Sequence, residues 1–405
     1  MNTLYVIRLG EIALKGLNRP MFENMLRRNI KAKLKGYRNT ITKQKGRLFL
    51  QIGDDCPREV VDTALSTTFG IVGYSRSFSA PKELEAIHEA AREAIGEGPF
   101  AEGKGSFKVI SRRADKSFPL TSYQLDVELA KTVHEVHPDL TVDVKNPDLI
   151  LYCEIRDKAY LYTTQKKGLG GLPVGSAGAG MLLLSGGLDS PVAGFLAAKR
   201  GVKMDCLYFH AYPYTSDEAL EKVKTLASLI APYLQGTRLW VAHFTEAQLQ
   251  IKRTAPENET TLMFRAAMMT LANRHSERTG SQCIITGEAL SQVASQTLEG
   301  LSFSDSFSEQ LVLRPLIGMD KQEIMDLARK IGTYETSILP YEDCCVLFSP
   351  KHPLTRPDKV VATEHYNAMG IEPFIEEALS NLGVFHFDER GKIIEKNHPT
   401  PDPVF

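Results

Sequence analysis

Apolar positions along this chain recur in two rhythms, and the change from one to the other marks out its parts. Residues 2–9 (NTLYVIRL), 47–52 (RLFLQI) and 74–79 read as strands. Between the first two, Met21, Phe22, Met25, Leu26, Ile30 and Leu34 share one face of a helix over 20–35, with Arg27, Arg28, Lys31 and Lys35 elsewhere on it. This order predicts a small α+β unit of ferredoxin-like type. A helical period returns over 83–97. Strand 107–110, helix 122–136 and strands 141–144, 149–156 and 159–164 follow.

From residue 181 the rhythm alternates. Strand 181–184 leads into a turn at 185–189 and a helix that stops at Gly201, with Ser190 as its cap and Pro191 in its first position. Next come strand 203–210, a helix capped by Ser216 and running to about 234, strand 237–244 and a helix over about 259–278. Strands 283–286 and 311–313 and a helix over 320–331 complete the pattern. Apolar strands alternating with helices predict a doubly wound parallel sheet covered on both faces, with ligands at the carboxyl ends of its strands. The run 166–180 (KKGLGGLPVGSAGAG) reads as a linker. The expected division is therefore 1–76, 77–165, linker 166–180 and 181–405, a multidomain protein mixing α+β and α/β parts.

Composition narrows the class. An apolar fraction of 43% and a charged fraction of 24% are those of a soluble globular protein. No apolar run suits a membrane span and no secretory leader opens the chain, which points to the cytoplasm. The six cysteines form neither a disulfide framework nor a metal-binding spacing. The net charge of −1 hides an asymmetry. In residues 1–50, Arg8, Lys15, Arg19, Arg27, Arg28, Lys31, Lys33, Lys35, Arg38, Lys43, Lys45 and Arg47 face only Glu11 and Glu23. A second cluster, Arg112, Arg113 and Lys116, is either a solvated face or part of a surface for a phosphate-rich partner. GEIALKG at 10–16 lacks the spacing of a phosphate loop and reads as a basic turn.

The candidate chemistry centres on MLLLSGGLDSPVAGFLAAKRG at 181–201. A strand, a glycine-rich turn and a helix N-terminus converge several backbone N–H groups on one point, where phosphate is favoured. Ser185, Gly186, Gly187 and Ser190 form that cradle. Asp189 would repel phosphate, which suits it to a metal ion riding with the phosphates. Leu183, Leu184, Tyr208 and Phe209 lie at strand ends where an adenine would sit, and Gly287 and Gln296 flank another strand end. Arg265 lies in an apolar helix, so it is either salt-bridged or reaching a nucleotide phosphate. Lys321 opposes a helix dipole and calls for a nearby anion, such as charge on an α-phosphate, unless it is a solvated lysine. Cys206 and Cys283 read as inert core thiols, whereas the adjacent Cys344 and Cys345 lie in a loop where a thiol could reach a substrate, unless the pair is structural or binds a metal, for which no third ligand is spaced.

SGGLDS between strand and helix resembles the pyrophosphate loop of the ATP pyrophosphatases, and FKVISRRADKSFPLTSYQLDVELAKTV with the strands after it resembles a THUMP domain. Together with LRPLIGMDKQEI and the late cysteines, these make nearly the whole chain similar to the tRNA 4-thiouridine synthetase (ThiI) family. The resemblance implies ATP as substrate with magnesium, and adenylation of O4 of the uridine at position 8 of tRNA. A persulfide sulfur from a cysteine desulfurase then displaces AMP. It implies Asp189 at the magnesium and pyrophosphate, Lys321 at the adenylation step, and Cys345 or its neighbour Cys344 as the catalytic thiol. It also implies a homodimer and a role in thiamine thiazole synthesis with the sulfur-carrier protein. That role is weakened here, because the chain ends at Phe405 without room for the rhodanese domain of longer members. The rivals are an amide-forming amidotransferase sharing the loop and a non-catalytic tRNA-binding protein.

Overall fold

The computed structural model describes residues 2–44, 46–163, 165–341 and 350–394. Contacts divide the chain into two units, residues 1–23 with 34–170 and residues 24–33 with 171–405.

Along the first part of the chain, β1 (Asn2–Leu9), α1 (Arg19–Lys33), β2 (Asn39–Gln44), β3 (Arg47–Gly53), α2 (Arg58–Ser66) and β4 (Ile71–Ala80) follow one another, all in the first unit except residues 24–33 of α1. The strands lie in the order β2-β3-β1-β4, all antiparallel, which is the ferredoxin-like arrangement. Leu26, Ile30 and Leu34 are fully buried as the helical pattern predicts, but Met21 is 51% exposed while its neighbour Phe22 is buried. Most of α1 groups by its contacts with the second unit, where Asn29 Nδ2 donates to the Val174 carbonyl at 3.1 Å and Arg390 Nε to that of Lys33 at 2.8 Å.

The sheet continues through α3 (Leu84–Ile95), β5 (Ser106–Arg113), α4 (Ser122–Val136), β6 (Thr141–Val142), β7 (Leu149–Ile155) and β8 (Ala159–Tyr162) in the order β4-β8-β7-β5-β6. Phe107 and Val109 alternate inward along β5. In α4, Leu125, Leu129 and Val133 form the buried stripe, and Thr121 with Gln124 closes a capping box. The glycine-rich run begins with a two-residue strand, β9 (Lys166–Lys167), paired with β4, and the boundary between the units falls after Gly170.

The second unit opens with β10 (Ala179–Leu183), α5 (Asp189–Lys199), β11 (Lys203–His210), α6 (Asp217–Leu234), β12 (Thr237–His243), α7 (Thr245–Thr254), α8 (Thr260–Thr279) and β13 (Cys283–Ile285). It continues with α9 (Leu298–Asp305), β14 (Leu311–Leu313), α10 (Lys321–Ile331), α11 (Tyr334–Ser337), α12 (Lys359–Ala368), α13 (Glu372–Ser380), β15 (Gly383–Phe387) and β16 (Ile393–Ile394). The order β14-β13-β10-β11-β12-β15-β16 places β10 where the winding reverses, the crevice that ligands use in such sheets. The five strands from β14 to β12 are parallel, but β15 joins β12 antiparallel, so the sheet is not wholly parallel as expected. The helix α8 is buried almost all round, with Met263, Phe264, Ala267 and Leu271 inside, because sheet and outer helices cover it from both sides.

Candidate active site

The turn after β10 is held by its own serines. The Ser185 N–H donates to Ser190 Oγ at 2.9 Å, the Gly187 N–H donates to Ser185 Oγ at 3.3 Å, and the Ser190 hydroxyl donates to the Ser185 carbonyl at 3.4 Å. Ser190 therefore does not cap the helix as its sequence position suggests. α5 begins at Asp189 behind Leu188, which carries no side-chain cap, and the Ser190 oxygen closes the loop instead. A helix N-terminus without a side-chain cap keeps N–H groups for an incoming anion. Gly287 packs from the end of β13 onto this point: a Cβ there would lie 2.6 Å from the Ser190 nitrogen, so only glycine allows the approach.

Beside the turn opens a cavity of about 470 Å³. Its wall gathers Leu183, Leu184, Ser185, Gly187, Asp189, Ser190, Tyr208, Phe209, Arg265, Gly287 and Gln296, residues from five separate stretches that the sequence singles out. Gly186 is buried within the turn and is not on the wall. The floor is apolar, with Phe264, Met268 and Met269. Gln296 is 8% exposed, and its side-chain carbonyl has no hydrogen-bond partner among the described residues.

Of the two readings of Arg265, the salt bridge is the one the structure holds. Arg265 lines the cavity and is ion-paired with Glu288, a buried carboxylate that also accepts from Arg314 Nε at 2.7 Å. Arg314 reaches on to Asp305 at 3.0 Å. Glu288 and Arg314 escape a reading of the sequence, because their partners lie on other elements and no local spacing announces them. At the rim, Lys321 Nζ stands 3.1 Å from Asp189 Oδ1, and Gln292 Nε2 donates to Asp189 Oδ2 at 3.1 Å. The anion that Lys321 needs at the start of α10 is thus Asp189, aided by the capping box of Asp320 and Glu323. No group of three metal-ligating side chains exists among the described residues.

Cys344 and Cys345 lie outside the described residues. Their flanks do not. Ser337 Oγ donates to the Gly187 carbonyl at 3.3 Å, and Pro353 lines the cavity beyond. Cys206 and Cys283 are inert as expected, since burial pushes their thiols up to about 12 and about 11.

A doubly wound sheet with a serine-closed, glycine-rich turn at its switch point, in a chain that also holds a ferredoxin-like unit, is a fold of the pyrophosphate-loop type. The ThiI profile (thiamine biosynthesis protein) matches residues 175–369, the ThiI ferredoxin-like profile 4–75 and the THUMP profile 81–164. A probable tRNA sulfurtransferase of Caldanaerobacter subterraneus is 44% identical over 379 residues, 93% of this chain and 98% of that protein. Its counterpart in Acetivibrio thermocellus is 42% identical over 388 residues, covering 95% and 98%. The crystal structure of a 4-thiouridine synthetase–RNA complex with bound ATP matches with a TM-score of 0.88 at 36% identity, covering 98% of this chain and all of that one (100%). A Pyrococcus horikoshii protein matches at 0.64 and 26% identity over 82% of this chain. The chain belongs to the ThiI family of tRNA sulfurtransferases.

Proposed function

We propose that this chain is an ATP-dependent tRNA sulfurtransferase that converts the uridine at position 8 to 4-thiouridine. The observation that carries this is the serine-closed turn opening into a cavity whose rim holds the Asp189–Lys321 pair. ATP lies with its adenine against Tyr208, Phe209 and the apolar floor, and Gln296 accepts from the 6-amino group. Its β and γ phosphates meet the N–H groups at the start of α5. The uridine O4 attacks the α-phosphorus and pyrophosphate leaves, while Lys321 stabilises the charge that develops there. The terminal sulfur of a cysteine persulfide then bonds to C4 as AMP departs with O4. A second thiol then attacks the carrier cysteine's sulfur and breaks its bond to the transferred sulfur, which stays on C4 as 4-thiouridine, and an external dithiol reduces the disulfide left behind. Cys345, or Cys344 beside it, serves in this half, and a cysteine desulfurase supplies the sulfur.

Asp189 would offer one hard carboxylate to a magnesium ion arriving with ATP, and among the described residues no group of three metal-ligating side chains surrounds it. Such an ion neutralises phosphate charge. The ferredoxin-like and THUMP parts bind the tRNA, and a homodimer is the working form. No helix among the described residues is long and apolar enough to cross a membrane, in keeping with a cytoplasmic enzyme.

The test mixes the full chain with magnesium ATP, unmodified tRNA, a desulfurase and cysteine. AMP and the long-wavelength absorbance of 4-thiouridine are followed. Asp189→Ala is expected to lower both by at least about 100-fold, and Cys345→Ser to abolish thiolation while sparing AMP formation. ATP cleavage on a small acid with no thiolated tRNA would defeat the proposal.

A further inference from the structure

A carboxylate is the wrong charge for a cavity that receives a triphosphate, yet Glu288 lines the cavity beside the turn after β10 and is only 5% exposed. Its Oε2 accepts from Thr286 Oγ1 at 2.8 Å and from Arg314 Nε at 2.7 Å, and its Oε1 is ion-paired with the Arg265 guanidinium. Arg314 carries the network on to Asp305, the last residue of α9, through both of its terminal nitrogens. Arg265 Nη1 also donates to the buried Ser295 hydroxyl at 3.4 Å. Four charges, brought by α8, α9 and the ends of β13 and β14, are thus joined in one chain, and of the four only Arg265 and Glu288 line the cavity.

Such a network adds little net stability, because each buried charge gives up its hydration and apolar residues of similar volume would pack as well. What apolar residues could not do is hold a guanidinium still. An arginine side chain on a cavity wall turns about several bonds, and an ion pair with a fixed carboxylate removes that freedom. We infer that Glu288 is a positioning residue for nucleotide binding: backed by Arg314, it sets the Arg265 guanidinium to meet a phosphate of ATP. This rests on the ATP-binding half of the reading above and not on sulfur transfer. A guanidinium has five N–H donors, so it can keep a carboxylate along one edge and offer another to phosphate. When its charge is shared in this way, Arg314 still neutralises Glu288, and no bare carboxylate is left buried.

The experiment measures the affinity of the full chain for magnesium ATP by calorimetry, in Glu288→Gln, Arg265→Met and the double variant. By charge alone, removing a negative group from the wall would tighten ATP binding, whereas loss of positioning weakens it. Glu288→Gln is expected to bind ATP about tenfold more weakly, and Arg265→Met at least as weakly. In the Arg265→Met background, Glu288→Gln is expected to change the affinity less than about twofold, since nothing is left to position. Arg314→Lys, which keeps the charge but loses the fork, is expected to cost about threefold, and it carries the same comparison if Glu288→Gln does not fold. Tighter or unchanged binding in Glu288→Gln would overturn the inference. So would a loss of equal size with and without Arg265, because Glu288 would then act through Gly287 and the strand end beside it. Wild-type affinity in Arg265→Met would overturn it as well. A parallel assay of tRNA separates the two claims: a wild type that binds ATP but makes no 4-thiouridine sinks the sulfurtransferase reading and leaves the role of Glu288 standing.

Discussion

His275 sits edge-on to Trp240, the single tryptophan of the chain, with ring centroids 4.7 Å apart. It is 3% exposed, and neither ring nitrogen has a hydrogen-bond partner among the described residues. Burial lowers its pKa from 6.5 to about 4. The unfolded chain takes up a proton below pH 6.5 and the folded chain only below about pH 4, so stability is full above the first value and drains between the two. Between pH 7 and pH 5 this amounts to on the order of 2 kcal/mol. Urea unfolding followed by Trp240 fluorescence should show the loss, and His275→Phe should flatten the slope in that window. An unaltered slope in the variant would assign the pH dependence elsewhere. At this scale the sequence shows needs more readily than partners. Lys321, a cation at a helix start, demands an anion, yet nothing local reveals that Asp189, 132 residues away, supplies it. Ser190 misleads for the related reason that its hydroxyl can cap a helix or close a turn, and only the fold decides which.

The elements that the sequence predicts well are those with an uninterrupted rhythm. The expected bounds of α4, β11 and β14 agree with the structure to the residue. α7 went unread because the fully buried Gln248 interrupts its stripe of Ala247 and Ile251. α9, LEGLSFSD, carries a glycine and two serines that mask its helical period. β15 is short and joins from the far end of the chain, so its antiparallel pairing has no local sign. Gly287 links the element scale to the site. Gly287→Ala would force a Cβ against the backbone of Asp189 and Ser190, so the turn and strand end must part. ATP affinity measured by calorimetry is expected to fall at least about tenfold, a loss of about 1.4 kcal/mol or more. Gly318→Ala, with nothing within 4 Å of the added methyl group, is the silent control. Equal affinity in the two variants would show that the close approach is not needed.

Over the whole molecule, a net charge of −1 conceals a strongly basic beginning. The cluster at the end of β5 divides in the structure: Arg113 Nη1 donates to the Phe118 carbonyl at 2.9 Å, whereas Arg112 and Lys116 are exposed. tRNA binding should therefore weaken steeply with salt. Arg112→Ala and Lys116→Ala should each reduce the log–log salt slope by about 1. Arg113→Ala should lower thermal stability and leave the slope alone. Filter binding at several salt concentrations reads the difference, and three unchanged slopes would move the RNA surface away from this strand.

The second unit is also discontinuous along the chain, since residues 24–33 group with 171–405. A gene trimmed to begin at residue 171 would encode a nucleotide domain missing part of its own wall, with the Val174 carbonyl stripped of Asn29 and the Arg390 guanidinium of the Lys33 carbonyl. On a ribosome, that early helix must wait for well over a hundred residues before the surface it completes exists. The two units are thus interlaced in the order of synthesis, and a cut at residue 171 divides the second of them.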